Sequence, residues 1–208
     1  RMRWGNSDAE FVRPVHWLLF LHGNEVVECE LLDTAAGNQS YGHRFHAPGA
    51  ITILHPTDYE AELRYRGKVI AGFEARRDAI REQVDVTATS LKGHIDIDED
   101  LLDEVTALVE WPVPVAGSFE EKYLEVPHEA LIQTMKKNQK DFHLLDSNGK
   151  LVPHFITISN IESSNPLVIR DGNERVIRPR LADAMFFWEQ DGKKTLEARV
   201  ESLKSVVF

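Results

Sequence analysis

The 208-residue chain has a single cysteine, Cys29, and no apolar run approaching the roughly 18 residues that a membrane helix requires. One thiol cannot close a disulfide within the chain or build a cysteine-based zinc site, so Cys29 reads as a small apolar strand residue in a reducing compartment. No basic, then apolar, then small-residue leader opens the sequence, and a soluble, cytoplasmic protein is expected. Gly-x-Gly-x-x-Gly, Gly-x-x-x-x-Gly-Lys-Ser/Thr and Gly-x-Ser-x-Gly are all missing. Nucleotide cradles and the nucleophile elbow of serine hydrolases are therefore unsupported, and no catalytic residue is assigned. Calcium-loop spacing is absent too, so Asp98, Glu99, Asp100, Asp103 and Glu104 are read as first-turn acids favoured by a helix dipole.

What is present is a globular composition, 42% hydrophobic and 28% charged, with a net charge of −10. The charge is uneven: 1–80 carries −2, 81–130 carries −10, and 131–208 carries +2. Acidity confined to the middle segment leaves the flanks free to approach a polyanion, and predicts a basic face with an acidic back. The sequence opens on Arg1-Met2-Arg3-Trp4-Gly5 without an initiator context and stops at Phe208 inside an amphipathic pattern. An internal piece of a longer protein is expected.

Along the chain, 14–23 and 25–32 read as two strands joined at Gly23-Asn24, with 51–54 and 69–72 as further short strands. Thr57 and Glu60 have capping-box spacing for a helix ending near Gly67. Phe73, Ile80, Val84 and Leu91 predict a helix stopped at Gly93; Leu101, Leu102, Val105, Leu108 and Val109 predict another, capped at Asp98 between Ile97 and Leu102. Residues 113–117 read as a short strand that Pro114 places at an edge or a bulge, and Pro127 as the first turn of a helix ending in Lys136-Lys137-Asn138-Gln139-Lys140. A hairpin follows around Asp146-Ser147-Asn148-Gly149, with its second strand over 151–161. Two helices close the chain, the first carrying Ile177, Leu181, Met185 and Trp188 with Pro179 in its first turn, and the second carrying Leu196, Val200, Leu203 and Val207. Adjacent hairpins without regular strand–helix alternation give an α+β (mixed α/β) fold.

Three groups of residues are chemically suggestive. His43 and His46 form a His-x-x-His pair, but no third ligand accompanies them and no metal site is assigned. The plainer reading has His43 bonding a loop backbone or a phosphate, with Phe45 buried. Lys136, Lys137 and Lys140 sit at a helix C-terminus; Arg170, Arg175, Arg178 and Arg180 surround Gly172-Asn173, where Asp171 and Glu174 offer weak surface pairs.

Five blocks occur in fixed order: Arg1-Met2-Arg3-Trp4-Gly5, Phe11-Val12-Arg13-Pro14-Val15-His16, Gly42-His43-Arg44-Phe45, Leu108-Val109-Glu110-Trp111-Pro112-Val113, and Gly172-Asn173-Glu174 through Arg180-Leu181-Ala182-Asp183-Ala184. Together they resemble the β subunit of the bacterial two-subunit glycyl-tRNA synthetase across nearly the whole chain. One departure is visible: the family usually reads Gln-Lys-Tyr-Phe where this chain has Gln139-Lys140-Asp141-Phe142.

The resemblance implies an α2β2 ligase, with ATP and magnesium used at the α subunit and tRNA(Gly) held largely by β. The partners would be the α subunit, a second β subunit and the tRNA. It also implies similarity to the B3/B4 domain of phenylalanyl-tRNA synthetase over 1–170, an antiparallel-rich sheet packed with helices that includes a helical segment over 73–111. A helical extension over 171–208 would then lead into a further domain. On this reading Arg13, His43, Arg44, Lys136, Lys140, Arg178 and Arg180 contact RNA, and the segment itself catalyses nothing and holds no cofactor. Two alternatives stand beside it: an editing deacylase using His43 and Glu110, and a scaffold between subunits without tRNA contact. Glycine, the smallest amino acid, gives editing little purpose, because a site that fits it excludes larger side chains sterically.

Overall fold

Strand-forming residues are concentrated before residue 53 and again between 113 and 159, and each concentration organises its own unit. In the computed structural model, which describes residues 2–204 and Val206, contacts divide the chain into units 1–76 and 77–208.

The first unit contains β1 (Leu18–Leu19), β2 (Leu21–His22), β3 (Glu25–Val26), β4 (Glu30–Leu31), β5 (Thr34–Gly37), β6 (Gln39–Tyr41), β7 (Ala50–Thr52) and α1 (Tyr59–Tyr65). The expected hairpin forms: Leu21 faces Val26, His22 faces Glu25, and Gly23 at φ +60° supplies the left-handed turn position. The expected continuous strand over 25–32 does not. It breaks after Val26 and resumes at β4, whose turn into β5 places Leu32 and Asp33 at φ +54° and +57°. Cys29 lies in the break and is exposed, not a covered strand residue. Ile51, Ile53 and Leu63 form the core, flanked by Leu19, Leu21 and Tyr59.

Two further expectations fail here for local reasons. The capping box at Thr57 and Glu60 is replaced by a 3-10 turn, Pro56–Asp58, in which Thr57 N–H donates to the His55 ring at 3.3 Å. Residues 69–72 form no strand: the Ile70 and Ala71 carbonyls, which a neighbouring strand would have used, accept from the Arg76 guanidinium.

Helix α2 (Phe73–Ser90) begins at the end of the first unit and continues into the second. It closes with Gly93 N–H on the Ala88 carbonyl and Lys92 N–H on the Thr89 carbonyl, both at 3.0 Å. Lys92, not Gly93, takes the left-handed conformation, at φ +59°. Gly93 is needed for a different reason: a Cβ there would stand 3.1 Å from the Leu145 carbonyl oxygen.

In α3 (Glu99–Leu108), the Asp98 carboxylate accepts from Leu101 N–H at 2.9 Å, so the expected cap is present. Next come β8 (Val113–Ser118), a 3-10 turn over Glu121–Glu125, α4 (His128–Thr134) and a π-helical turn over Met135–Gln139. Pro127 precedes α4 as its cap residue. The chain continues with β9 (Phe142–Leu145), β10 (Leu151–Ser159), α5 (Pro166–Asp191) and α6 (Leu196–Leu203).

β10 is central in an antiparallel sheet of order β8-β10-β9, so Pro114 does sit on an edge. That edge is closed to further pairing at two points. Pro114 has no N–H, and Ser118 N–H donates to the Glu174 carboxylate at 3.0 Å. The β9–β10 turn is held by Asp146, whose carboxylate accepts from Asn148 and Lys150 N–H at 2.8 and 2.9 Å, with Gly149 at φ +74°.

Adjacent residues on a strand point to opposite faces, and Phe155 and Ile156 are both wholly buried, so the sheet is covered on both sides. Ile156, Phe142 and Leu144 pack with Ile80, Val84, Leu102 and Val105 of α2 and α3. Phe155 packs with Leu131, Met135, Ile177 and Leu181 from α4, the π-turn and α5. The fold is α+β, with several small, mostly antiparallel sheets packed against helices.

Helix α5 departs most from expectation. It starts at Pro166, thirteen residues before Pro179, and runs through both Gly172-Asn173 and Pro179. Buried Ile177 and Leu181 anchor it to the sheet on either side of the proline, which outweighs the lost N–H and the weak helix propensity of glycine. Contacts divide the chain near residue 76, ahead of this helix. Val207, expected to extend the last apolar stripe, lies outside the described residues, as do Arg1 and Phe208. Among the described residues, no helix is long and apolar enough to cross a membrane.

Candidate nucleic-acid interface

The seven residues expected to meet RNA divide between the units: Arg13, His43 and Arg44 in 1–76, and Lys136, Lys140, Arg178 and Arg180 in 77–208.

His43 follows β6 in a tight loop and is 1% exposed. Its Nδ1 accepts from Phe45 and His46 N–H at 3.2 and 3.3 Å. Its own N–H donates to the Gly67 carbonyl at 2.7 Å, and its carbonyl accepts from Ala47 N–H at 2.8 Å. Gly42 is required beside it, because a Cβ would lie 2.5 Å from the Ala47 oxygen and 2.7 Å from the Gly67 oxygen. The imidazole thus organises the loop. An Nδ1 that accepts backbone N–H groups is not a metal ligand, and among the described residues no group of three or more His, Cys, Asp or Glu could hold a metal ion. Arg44 projects outward, and so does Phe45, which is 71% exposed and not buried as expected.

In the second unit the acidic segment supplies carboxylate partners to several of these cations. Asp98 pairs with Lys136, Glu104 with Lys140 at 2.9 Å, and Glu120 with Arg178 at 2.8 Å. The Lys136 ammonium and the Leu101 N–H together hold the Asp98 carboxyl below its ordinary value. Glu99 and Asp103 receive Arg77, and Glu99 also binds Arg81 at 2.7 Å. Arg170 makes the expected surface pairs, at 2.9 Å to Asp171 and 3.9 Å to Glu174. Lys136 and Lys140 follow one another through the π-turn, which ends with Lys140 itself left-handed at φ +61°.

Ile177 and Leu181 define the buried face of α5. At 100° per residue, Arg178 and Arg180 lie on opposite flanks of that face, and both are exposed. Among the described residues no carboxylate pairs with Arg13, Arg44 or Arg180. Of the seven residues expected to meet RNA, these three are the cations without a carboxylate partner.

The editing pair falls on different units. Glu110 is exposed, and its N–H, with that of Trp111, donates to the Asn160 side chain at 2.7 and 3.0 Å. Asp141, which stands where the family pattern has tyrosine, has an environment that its sequence position did not announce. Its carboxyl is 2% exposed, with one oxygen lacking a hydrogen-bond partner. Burial pushes it up to about 7 against the opposing effect of a hydrogen bond from Thr157. The Gln139–Phe142 departure marked the position and not its burial.

Residues 1–208 match the family model described as glycyl-tRNA synthetase beta subunit. The chain is 53% identical over 208 residues to the glycine–tRNA ligase beta subunit of Hahella chejuensis. It is 54% identical to that of Stutzerimonas stutzeri and 55% to that of Azotobacter vinelandii, again over 208 residues. Each alignment covers all of this chain and 30% of the relative, so the chain spans about a third of the length of these proteins. The chain belongs to the glycyl-tRNA synthetase beta subunit family.

Proposed function

We propose that this segment helps a glycine–tRNA ligase hold tRNA(Gly), through phosphate and 2′-hydroxyl contacts, while glycine is joined to the tRNA at the α subunit with ATP and magnesium. The match of the whole chain to the beta subunit family carries this reading. The working assembly is α2β2 in the cytoplasm, and the segment contributes binding, not chemistry.

The unpaired cations give the reading its residues. Arg13, Arg44 and Arg180 meet phosphates directly. Lys136, Lys140 and Arg178 do so by exchanging their carboxylate partners for phosphate, which costs little because these pairs are partly exposed and contribute roughly 0–1 kcal/mol each. Glycylation kinetics of the complete ligase test this. With Arg13→Ala and Arg180→Ala combined, the KM for tRNA(Gly) rises on the order of tenfold at physiological salt while kcat at saturating tRNA is kept. An unchanged KM would remove both residues from the interface.

A further inference from the structure

Sequence and structure place two unusual stretches side by side in the first unit. Residues 11–24 and 34–57 contain no aspartate or glutamate, although 34 of the chain's 208 residues are acidic. At that frequency these thirty-eight positions would hold about six acids. They hold instead Arg13, Arg44 and five of the nine histidines, interleaved with aromatics. The Trp17 and Tyr41 rings join the two stretches, with centroids 4.8 Å apart and planes tilted by 52°. Both rings are exposed, at 43% and 40%. Three and four residues beyond Tyr41, Arg44 and Phe45 stand out from the loop that buried His43 holds in place, with the Phe45 ring centroid 6.1 Å from that of His43.

We propose that Trp17, Tyr41, Arg44 and Phe45 form a stacking platform for unpaired nucleotides of the bound RNA. An aromatic ring stacks on any base, and a neighbouring guanidinium adds charge toward the backbone and a planar surface of its own. Protein-docking patches have a core depleted of charge. Here the two stretches that carry the rings also carry Arg13 and Arg44 and contain no acid, which fits a polyanion with exposed bases better than a protein face. The loop is also fixed in advance: two N–H bonds to one buried imidazole, together with Gly42 packed against two carbonyls, keep Phe45 presented in the absence of ligand.

This inference rests on the tRNA-holding function proposed above, and the two are separable. The complete ligase carrying Phe45→Ala, Phe45→Tyr, Trp17→Ala or the Arg13→Ala/Arg180→Ala pair is titrated with a tRNA(Gly) transcript and with blunt duplex RNA over a range of salt. The platform predicts that Phe45→Ala and Trp17→Ala each weaken tRNA binding about five- to tenfold. Duplex binding and the salt slope stay unchanged, and Phe45→Tyr keeps wild-type affinity. The thermal midpoint stays near wild type for Phe45→Ala because the ring is already exposed.

If the aromatic variants bind tRNA normally while the arginine pair weakens it, the platform is overturned and tRNA holding stands. Normal binding by every variant overturns both. Loss of subunit assembly by Phe45→Ala, with unchanged tRNA affinity in the enzyme that does assemble, would assign the ring to a protein contact and overturn the platform.

Discussion

Asp141 is the residue whose environment departs most from its chemistry. A carboxyl with a folded value of about 7 and an ordinary value of 3.8 binds a proton more tightly in the folded chain. Below pH 4 it is protonated in both states and costs nothing. Between pH 4 and 7 stability falls, and above pH 7 the full penalty applies, on the order of 4 kcal/mol for about three pH units. Asp141→Asn keeps the shape without the charge. Urea titrations should show it more stable than wild type by a few kcal/mol at pH 8 and by far less at pH 4.5; equal gains at both pH values would mean that the charge is not responsible. Gly117 makes a steric counterpart, since a Cβ there would lie 2.3 Å from Phe155, which is fully buried between the sheet and α4 and α5. Gly117→Ala should cost about 2 kcal/mol or more in the same titration.

At the scale of the element, the sequence was most readable where one periodic face carried the burial. Helices α2 and α3, the Asp98 cap and the Asp146–Gly149 hairpin follow directly from apolar spacing and turn chemistry. It was least readable where a distant partner decided the outcome. Gly172 and Pro179 are local arguments against helix, yet α5 passes through both because Ile177 and Leu181 bury against β8–β10 and α4. The Leu32-Asp33 turn has no glycine to announce it. The 69–72 segment lacks a strand because an arginine took its carbonyls.

The same reasoning gives a stabilising change. Gly172 is exposed within a helix, and nothing lies within 4 Å of a Cβ added there. Gly172→Ala should stabilise the unit by about 0.5–1 kcal/mol, raising its thermal midpoint by a few degrees. A lowered midpoint would indicate that the glycine serves a contact made elsewhere.

For the whole molecule, net charge misleads in both directions. The value of −10 conceals two acid-free stretches in the first unit, while the confinement of acidity to 81–130 conceals that Asp98, Glu104 and Glu120 already hold three of the four cations expected to meet RNA in the second. The candidate site was legible in the sequence as a set of basic residues. Which of them are free was not, because ion pairing across α3, the π-turn and α5 depends on tertiary placement. His43 shows the same limit: the motif marked it correctly as unusual, and the structure gives it a loop to organise.

The contribution of the unpaired cations to tRNA binding by the complete ligase is read most directly from the salt dependence of tRNA(Gly) affinity in wild type and in the Arg13→Ala/Arg44→Ala/Arg180→Ala variant. Three lost phosphate contacts should reduce the slope of log affinity against log salt by roughly 2–3. An identical slope in the two enzymes would show that these arginines do not reach the tRNA backbone.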